Sequence, residues 1–233
     1  MEIDYSKIKV IGFDADDTLW VNETYFRDAE KEFAKCFSKY ETCNEIENKL
    51  YNMEVKNLPL YGYGIKGFVL SMVEMAQELS NDNVPNTLIK KILDIGKNML
   101  NKPVELLEGV EEVLLELSKK HKLIVATKGD LLDQERKLKK SGLLKYFRHI
   151  EVLSDKKESN YRQLLDHLDI KPESFLMVGN SLKSDILPLI NIGAKAIHVP
   201  FHTTWEHEKV LENELVNKQY ITVEKLDNIL SIL

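Results

Sequence analysis

The sequence lacks the features of a disulfide-stabilised secreted domain and of a membrane protein. Its 233 residues include only two cysteines, Cys36 and Cys43, too few for a dense disulfide framework. We expect both to be reduced structural thiols. No stretch has the pattern of a signal peptide, and none approaches the run of about 20 apolar residues that a membrane-spanning helix needs. We therefore expect a cytoplasmic protein.

An excess of basic residues is also missing. Lysine and arginine number 32 against 38 acidic residues, which gives a net charge of -6. The chain therefore has no broad positive field for nucleic acid or an anionic membrane, although a local positive site for a small anion remains compatible with this charge. Hydrophobic residues make up 43% and charged residues 30%, as in ordinary soluble globular proteins.

The periodicity predicts an α/β fold with a helical insertion. From Glu108 onward, short apolar runs alternate with helical periods, which implies a Rossmann-like parallel sheet with helices on both faces. Between the first apolar run and this region, four stretches have apolar residues at helical spacing: 26–37, 46–53, 68–79 and 89–99. We predict an α/β core of residues 1–19 and 103–233 and an inserted all-α four-helix domain of residues 20–102.

The first apolar run ends in a cluster of acids. Residues 10–13 read as a short buried strand, and Asp14, Asp16 and Asp17 follow within four positions. Ligands bind beyond the carboxyl ends of strands in such sheets, so acids at this point are placed for chemistry. Asp14 and Asp16 lie on the same side if the extended conformation persists, and their charges are compatible when a cation lies between them or one carboxyl keeps its proton.

Polar side chains also follow the later predicted strands, and parallel topology brings them to the same edge of the sheet. They are Thr127, Lys156, Asn180 and Asp185. Carboxylate and amide oxygens suit Mg²⁺, whereas Thr127 and Lys156 can donate to phosphoryl oxygens. One acid of the first cluster can attack phosphorus as a nucleophile, and the other can move a proton.

These motifs together resemble the haloacid dehalogenase superfamily. Its Asp-x-Asp-x-Thr motif stands at residues 14–18, and its Thr-terminated strand at 125–127. The Lys motif stands at 154–156, with the adjacent Lys157 as the alternative lysine, and the Gly-Asp-Ser-x-x-x-Asp motif stands at 179–185. The helical insertion resembles the family's cap domain. Asn180 departs from the pattern, because the family usually has an aspartate there.

The resemblance implies a role for each residue. Asp14 would be the nucleophile and Asp16 the general acid and base, with the main-chain carbonyl of Asp16 also on Mg²⁺. Thr127 and Lys156 would hold the phosphoryl group. Two further residues, Asp185 and Asn180, would complete the metal site. The implied activity is Mg²⁺-dependent hydrolysis of a small phosphomonoester, a phosphorylated metabolite, through an aspartyl phosphate.

The sequence is also compatible with other functions. A 2-haloacid dehalogenase has no use for an acid at Asp16 because halide leaves unprotonated, although Asn180 favours that branch slightly. A phosphomutase keeps both acids. A phospho-Asp receiver module shares the acids, Thr and Lys, but is compact and has its phosphoacceptor mid-chain. A non-catalytic binding protein is disfavoured by the intact Asp14 and Asp16.

Substrate selection is expected to depend on the helical insertion. The stretch of residues 60–66 reads as a loop in which Tyr61, Tyr63 or Lys66 contacts the leaving group, or alternatively as a surface hairpin whose tyrosines pack on the insertion. Lys128 continues the second motif and is a further candidate for substrate contact. His202 and His207 lack supporting ligands, so we do not predict a zinc site there.

Overall fold

A computed structural model describes residues 5–233, and the chain divides into two units. The first comprises the N-terminal segment through Val21 together with Val104–Lys128 and Gln134–Leu233. The second comprises Asn22–Pro103 and the short segment Gly129–Asp133. The first unit contains a parallel sheet and the second is built from helices, so the predicted fold class is confirmed.

The sheet has six strands in the order β3-β2-β1-β4-β5-β6, and every neighbouring pair is parallel. The strands are β1 (Val10–Phe13), β2 (Lys122–Lys128), β3 (His149–Leu153), β4 (Phe175–Gly179), β5 (Lys195–His198) and β6 (Ile221–Thr222). Every residue of β1 is buried, as expected for a central strand covered on both faces. The acids that follow β1 therefore emerge in the middle of the sheet edge.

Within residues 5–233 the chain forms eight α-helices. They are α1 (Glu23–Phe37), α2 (Cys43–Tyr61), α3 (Ile65–Leu79), α4 (Asn86–Asn101), α5 (Val110–Leu117), α6 (Leu131–Ser141), α7 (Glu158–His167) and α8 (Leu187–Asn191). Ile11 and Phe13 pack in one apolar cluster with residues of α5 and α6, and Val10 packs in another with residues of α7 and α8. Alternate β1 side chains thus anchor helices on opposite faces of the sheet.

Helices α1 to α4 bury their apolar faces against one another in a separate core that includes Phe33, Leu50, Met72 and Ile92. The expected loop over residues 60–66 is wrong in its extent. Helix α2 continues through Pro59 to Tyr61, and α3 begins at Ile65, so the connection spans only residues 62–64. A proline near the last turn removes one intrahelical hydrogen bond, and the preceding turns of the helix retain theirs.

A π-helical turn over Leu182–Ile186 lies between β4 and α8, and Pro188 lies in the first turn of α8. The side chain of Ser181 caps this turn by accepting a hydrogen bond from the Ser184 amide at 3.0 Å. Asp185 is therefore already inside a helical turn.

The two chain segments that lead to and from the helical insertion run side by side. Val21 donates its amide to the Glu105 carbonyl at 2.9 Å, and Leu107 donates to the Leu19 carbonyl at 3.0 Å. Trp20, between them, is fully buried in the apolar cluster of the sheet unit. Nowhere in residues 5–233 is there a helix with the length and apolar character needed to cross a membrane.

Candidate active site

A buried lysine joins two buried carboxylates at the edge of the sheet. Lys156 Nζ donates to Asp14 Oδ1 and, at 2.6 Å, to Asp185 Oδ1. Asp14 directly follows β1, Asp185 lies in the turn after β4, and Lys156 follows β3. The side chain of Lys157 is instead 76% exposed and pairs with Asp155. Lys156 is therefore the lysine that contacts the two buried carboxylates.

Burial and the neighbouring charges set the protonation states of Asp14 and Lys156. Burial raises the pKa of Asp14 to about 7, against the lowering effect of the nearby Lys156 ammonium. Burial alone would lower the pKa of Lys156, but the charges of Asp14 and Asp185 outweigh it and raise the pKa well above its ordinary value. Lys156 is therefore a fixed cation beside the carboxylate that the motif marks as nucleophile.

The side-chain amide of Asn180 completes a cluster of polar atoms beside Asp14. One end of the amide lies 3.2 Å from Asp14 Oδ2 and 3.3 Å from the main-chain oxygen of Asp16. With its nitrogen turned inward, the amide donates to both; with its oxygen turned inward, three oxygens face one another. Thr18 connects the segment after β1 with the turn after β4, since its hydroxyl donates to Asp14 Oδ2 at 3.2 Å and accepts from the main-chain N–H of Asn180 at 3.1 Å.

This donor set fits a hard divalent cation. Asp14 and Asp185 would supply carboxylates, Asp16 a main-chain carbonyl and Asn180, with its side-chain oxygen turned inward, an amide oxygen. Mg²⁺ is held in proteins by one or two carboxylates and keeps several waters or phosphate oxygens. In the part of the chain that the structure describes, no site gathers three or more His, Cys, Asp or Glu side chains, so the oxygens here come from two carboxylates and two neutral groups.

The side chain of Asp16 points to a different set of partners from that of Asp14. Its Oδ1 accepts from Trp20 Nε1 at 2.7 Å and from Lys137 Nζ at 2.5 Å, and its Oδ2 accepts from Gln134 Nε2 at 2.8 Å. Gln134 and Lys137 lie three residues apart on α6, the spacing of one helix face. Sequence reasoning missed both, because no motif marks a helical Gln or Lys as a partner of the second acid.

The strand end at Thr127 and Lys128 has a buried hydroxyl and a paired ammonium. Thr127 is 1% exposed, and its hydroxyl donates to the Lys128 carbonyl at 3.2 Å. Lys128 Nζ donates to Glu208 Oε1 at 2.7 Å and to Ser184 Oγ at 2.9 Å. No motif or spacing in the sequence points to Glu208.

Gly179 and His198 shape the turn that carries Asn180 and Asp185. A Cβ at Gly179 would lie 2.3 Å from Asp185 Oδ2, so only glycine leaves room for this carboxylate. Ser181 holds the same oxygen through its main-chain N–H at 3.0 Å. On the other side, His198 Nε2 lies 3.1 Å from the Asn180 carbonyl, and burial lowers the pKa of this imidazole.

The residues expected to contact substrate from the insertion lie within the helical unit. The Tyr61 hydroxyl bonds to Glu74 on α3, and Tyr63 is half-buried. Lys66 Nζ lies 2.9 Å from Asp130 Oδ1, within the same unit. In the loop after β5, the His207 ring contacts Trp205. The next residue, Glu208, accepts hydrogen bonds from Ser181, Ser184 and Lys128.

Comparison with known proteins gives consistent results. A model of the haloacid dehalogenase-like hydrolase family matches residues 8–193. The chain is 28% identical over 202 residues to N-acylneuraminate-9-phosphatase from Rattus norvegicus, covering 82% of each. It is 24% identical over 236 residues to glyceraldehyde 3-phosphate phosphatase from Pyrococcus furiosus, covering 97% of this chain and 93% of that protein. A haloacid dehalogenase-like family hydrolase from Xanthomonas campestris has a TM-score of 0.83 and 34% identity, with 97% of this chain and 95% of that chain covered.

Proposed function

The chain belongs to the haloacid dehalogenase-like hydrolase family and is therefore a hydrolase, and from this premise we propose that it hydrolyses a small phosphomonoester through an aspartyl phosphate on Asp14. The observation that carries the proposal is the contrast between its two acids. Asp14 is buried beside Lys156, as a nucleophile needs, whereas Asp16 is partly exposed and held apart by donors on α6. Two carboxylates in such different surroundings suit separate roles.

In the first half of the reaction, a carboxylate oxygen of Asp14 forms a bond to phosphorus while the bond from phosphorus to the ester oxygen breaks. Asp16 gives a proton to the departing alkoxide. In the second half, Asp16 takes a proton from water, whose oxygen bonds to phosphorus, and the Asp14 carboxylate is released with inorganic phosphate. The two acids together return to their starting states, so atoms and charge balance over the cycle.

Other residues of the chain orient the reacting groups. Lys156 fixes the Asp14 carboxylate and places a positive charge where phosphoryl charge develops. Thr127, at the end of β2, is proposed to donate its hydroxyl to a phosphoryl oxygen. The cation, proposed to be Mg²⁺, would be held by Asp14, Asp185, Asn180 and the Asp16 carbonyl. When bound, it would neutralise phosphoryl negative charge.

Two other reactions on the same fold remain candidates. A 2-haloacid dehalogenase is supported by Asn180, which supplies an amide where phosphatases of the family usually have a carboxylate. It is disfavoured by Asp16, because a halide needs no proton. Phosphoryl transfer to a second substrate, as in a phosphomutase, uses the same acids and differs only in the final acceptor. A receiver-like or non-catalytic module is disfavoured by the family assignment.

The first test measures turnover of an aryl phosphate and an alkyl phosphate in Mg²⁺. Asp14→Asn is expected to be inactive on both, since the amide cannot form the covalent intermediate. Asp16→Ala is expected to lose about 10²- to 10⁴-fold on the alkyl ester and much less on the aryl ester, whose leaving group needs little protonation. Equal losses on the two esters would contradict the acid role. Turnover of 2-haloacids in place of phosphates would favour the dehalogenase.

The helical unit is proposed to act as a cap that selects the substrate, and the cytoplasm is the proposed location. Relatives that act on N-acylneuraminate 9-phosphate and glyceraldehyde 3-phosphate, by their names, support a small phosphorylated metabolite as substrate. Tyr61, Tyr63 and Lys66 remain the proposed contacts. Lys66→Met should change KM across a panel of phosphate esters more than kcat. Unchanged kinetics on the whole panel would remove Lys66 from the proposal.

A further inference from the structure

A mostly buried carboxylate outside the motifs contacts three residues around the candidate active site. Glu208, in the loop that follows β5, has its side chain 12% exposed. It accepts from Lys128 Nζ at 2.7 Å, from Ser184 Oγ at 2.5 Å and from Ser181 Oγ. A carboxylate with three donors in a buried setting is costly to lose, because its partners would then be left unsatisfied.

Each donor is adjacent in sequence to a residue of the site. Lys128 follows Thr127 at the end of β2, whereas Ser181 follows Asn180 and Ser184 precedes Asp185. One carboxylate therefore connects the end of one strand with the turn that follows another. The two strands are separated in the sheet by β1, which carries the nucleophile.

The contacts continue from Glu208 into the turn itself. Ser181 Oγ accepts from the Ser184 amide at 3.0 Å, and the Ser181 amide donates to Asp185 Oδ2 at 3.0 Å. Rotation of the Ser181 hydroxyl is thus fixed by Glu208 on one side and by the turn on the other. The Asp185 oxygen that Lys156 does not contact depends on the same turn.

We propose that Glu208 is a positioning residue. It holds the Asn180–Asp185 turn and the end of β2 at Lys128 in the positions that cation binding requires. The assignment of that turn to the cation rests on the proposed function. Burial alone would raise the pKa of Glu208, but Lys128 and the two serine hydroxyls outweigh it and lower the pKa to about 2. Glu208 is therefore anionic throughout the working range of pH and balances the Lys128 charge.

The test compares Glu208→Gln with Glu206→Gln. Glu206 lies in the same loop, but its side chain is 60% exposed and pairs with Lys209, so its variant controls for a change in net charge. Glutamine keeps the size of Glu208 but cannot neutralise Lys128. Mn²⁺ binding without substrate is measured by calorimetry, and kcat and KM are measured with an aryl phosphate in Mg²⁺. We expect Glu208→Gln to lose about 10- to 100-fold in Mn²⁺ affinity and in kcat, as for other residues that orient ligands.

A readout that needs neither metal nor activity accompanies these measurements. Hydrogen exchange of the amides in residues 181–185 should quicken in Glu208→Gln while exchange in β1 stays as in the wild type. A merely structural role would instead lower the melting temperature and quicken exchange throughout the sheet unit. Glu208→Asp keeps the charge on a shorter side chain and should recover part of the Mn²⁺ affinity. Wild-type exchange and affinity in a folded Glu208→Gln, or the same losses in Glu206→Gln, would overturn the proposal.

The outcomes separate this inference from the proposed function. A wild-type protein that binds Mn²⁺ but hydrolyses no phosphate ester would contradict the function, and the exchange and affinity of Glu208→Gln would still decide the positioning role. If Glu208→Gln does not fold, the double variant Lys128→Met/Glu208→Gln replaces it, because it leaves no unpaired buried charge. The same changes in exchange and affinity are expected there, and wild-type values would again overturn the proposal.

Discussion

Replacing Lys156 with methionine removes the cation that lies between two buried carboxylates. Lys156 Nζ is 2.6 Å from Asp185 Oδ1 and also bonds to Asp14, and the three side chains are 2%, 1% and 9% exposed, respectively. Methionine keeps most of the aliphatic stem, so the variant tests the charge. Breaking a buried ion pair by removing one partner costs about 3–5 kcal/mol. Since 1 kcal/mol shifts Tm by about 2–4 °C in a chain of this size, we expect the metal-free variant to melt about 6–20 °C lower.

The assay is thermal unfolding by circular dichroism at pH 8, with EDTA and then with Mg²⁺. A cation bound by the same carboxylates should restore part of the loss, by about 2.7 kcal/mol at a hundred times its Kd. Lys157→Met is the matched control. Its ammonium is exposed and pairs at the surface with Asp155, so we expect Lys157→Met to melt close to the wild type. If Lys156→Met melted with the wild type in EDTA, the two carboxylates would not depend on this ammonium.

Three further variants test other parts of the structure. Burial and the charge of Glu30 raise the pKa of Glu54 to about 8 from an ordinary 4.5. The helical unit should therefore lose stability as pH rises from about 5 to 8, by at most about 5 kcal/mol. In urea unfolding, the stability of Glu54→Gln should depend less on pH over this range. Gly179→Ala should unfold at lower urea and lose turnover, because its Cβ would lie 2.3 Å from Asp185 Oδ2; wild-type values for both would contradict the packing. Asn180→Asp adds a third carboxylate, so it should bind Mn²⁺ more tightly and, because like charges repel when no cation is bound, lower Tm in EDTA. Weaker Mn²⁺ binding by calorimetry would remove residue 180 from the proposed ligands.

The strands and their ends were predictable because both signals are local. Apolar runs closed by polar residues located β1 and β4, and parallel topology then placed Asp14 and Asp185 at one edge. The extent of α2 was not predictable in the same way. Pro59 and the glycines after it indicate a break, but α2 continues to Tyr61, and its last turns are hydrogen-bonded from Asn57 and Tyr61 to Glu74 on α3.

Residues that act through tertiary contacts could not be read from the sequence. Lys156 and Lys157 are identical in type and adjacent, and only burial in the folded chain distinguishes them. Gln134 and Lys137 reach Asp16 from more than a hundred residues away, and Glu208 reaches Lys128 from eighty. Such distances leave no spacing pattern, because helix packing and loop path decide which polar groups meet.

The pairing of Val21 with Glu105 and of Leu19 with Leu107 means that the helical insertion leaves and rejoins the sheet unit at one point. A segment whose two ends are already joined by hydrogen bonds can be lengthened, shortened or exchanged without moving a strand, as in tolerated domain insertions. Residues 22–103 can therefore change in length or sequence while the strands that precede Asp14 and Asp185 keep their positions. If the helical unit selects the substrate as proposed, exchanging this stretch would change the specificity and leave the sheet as it is.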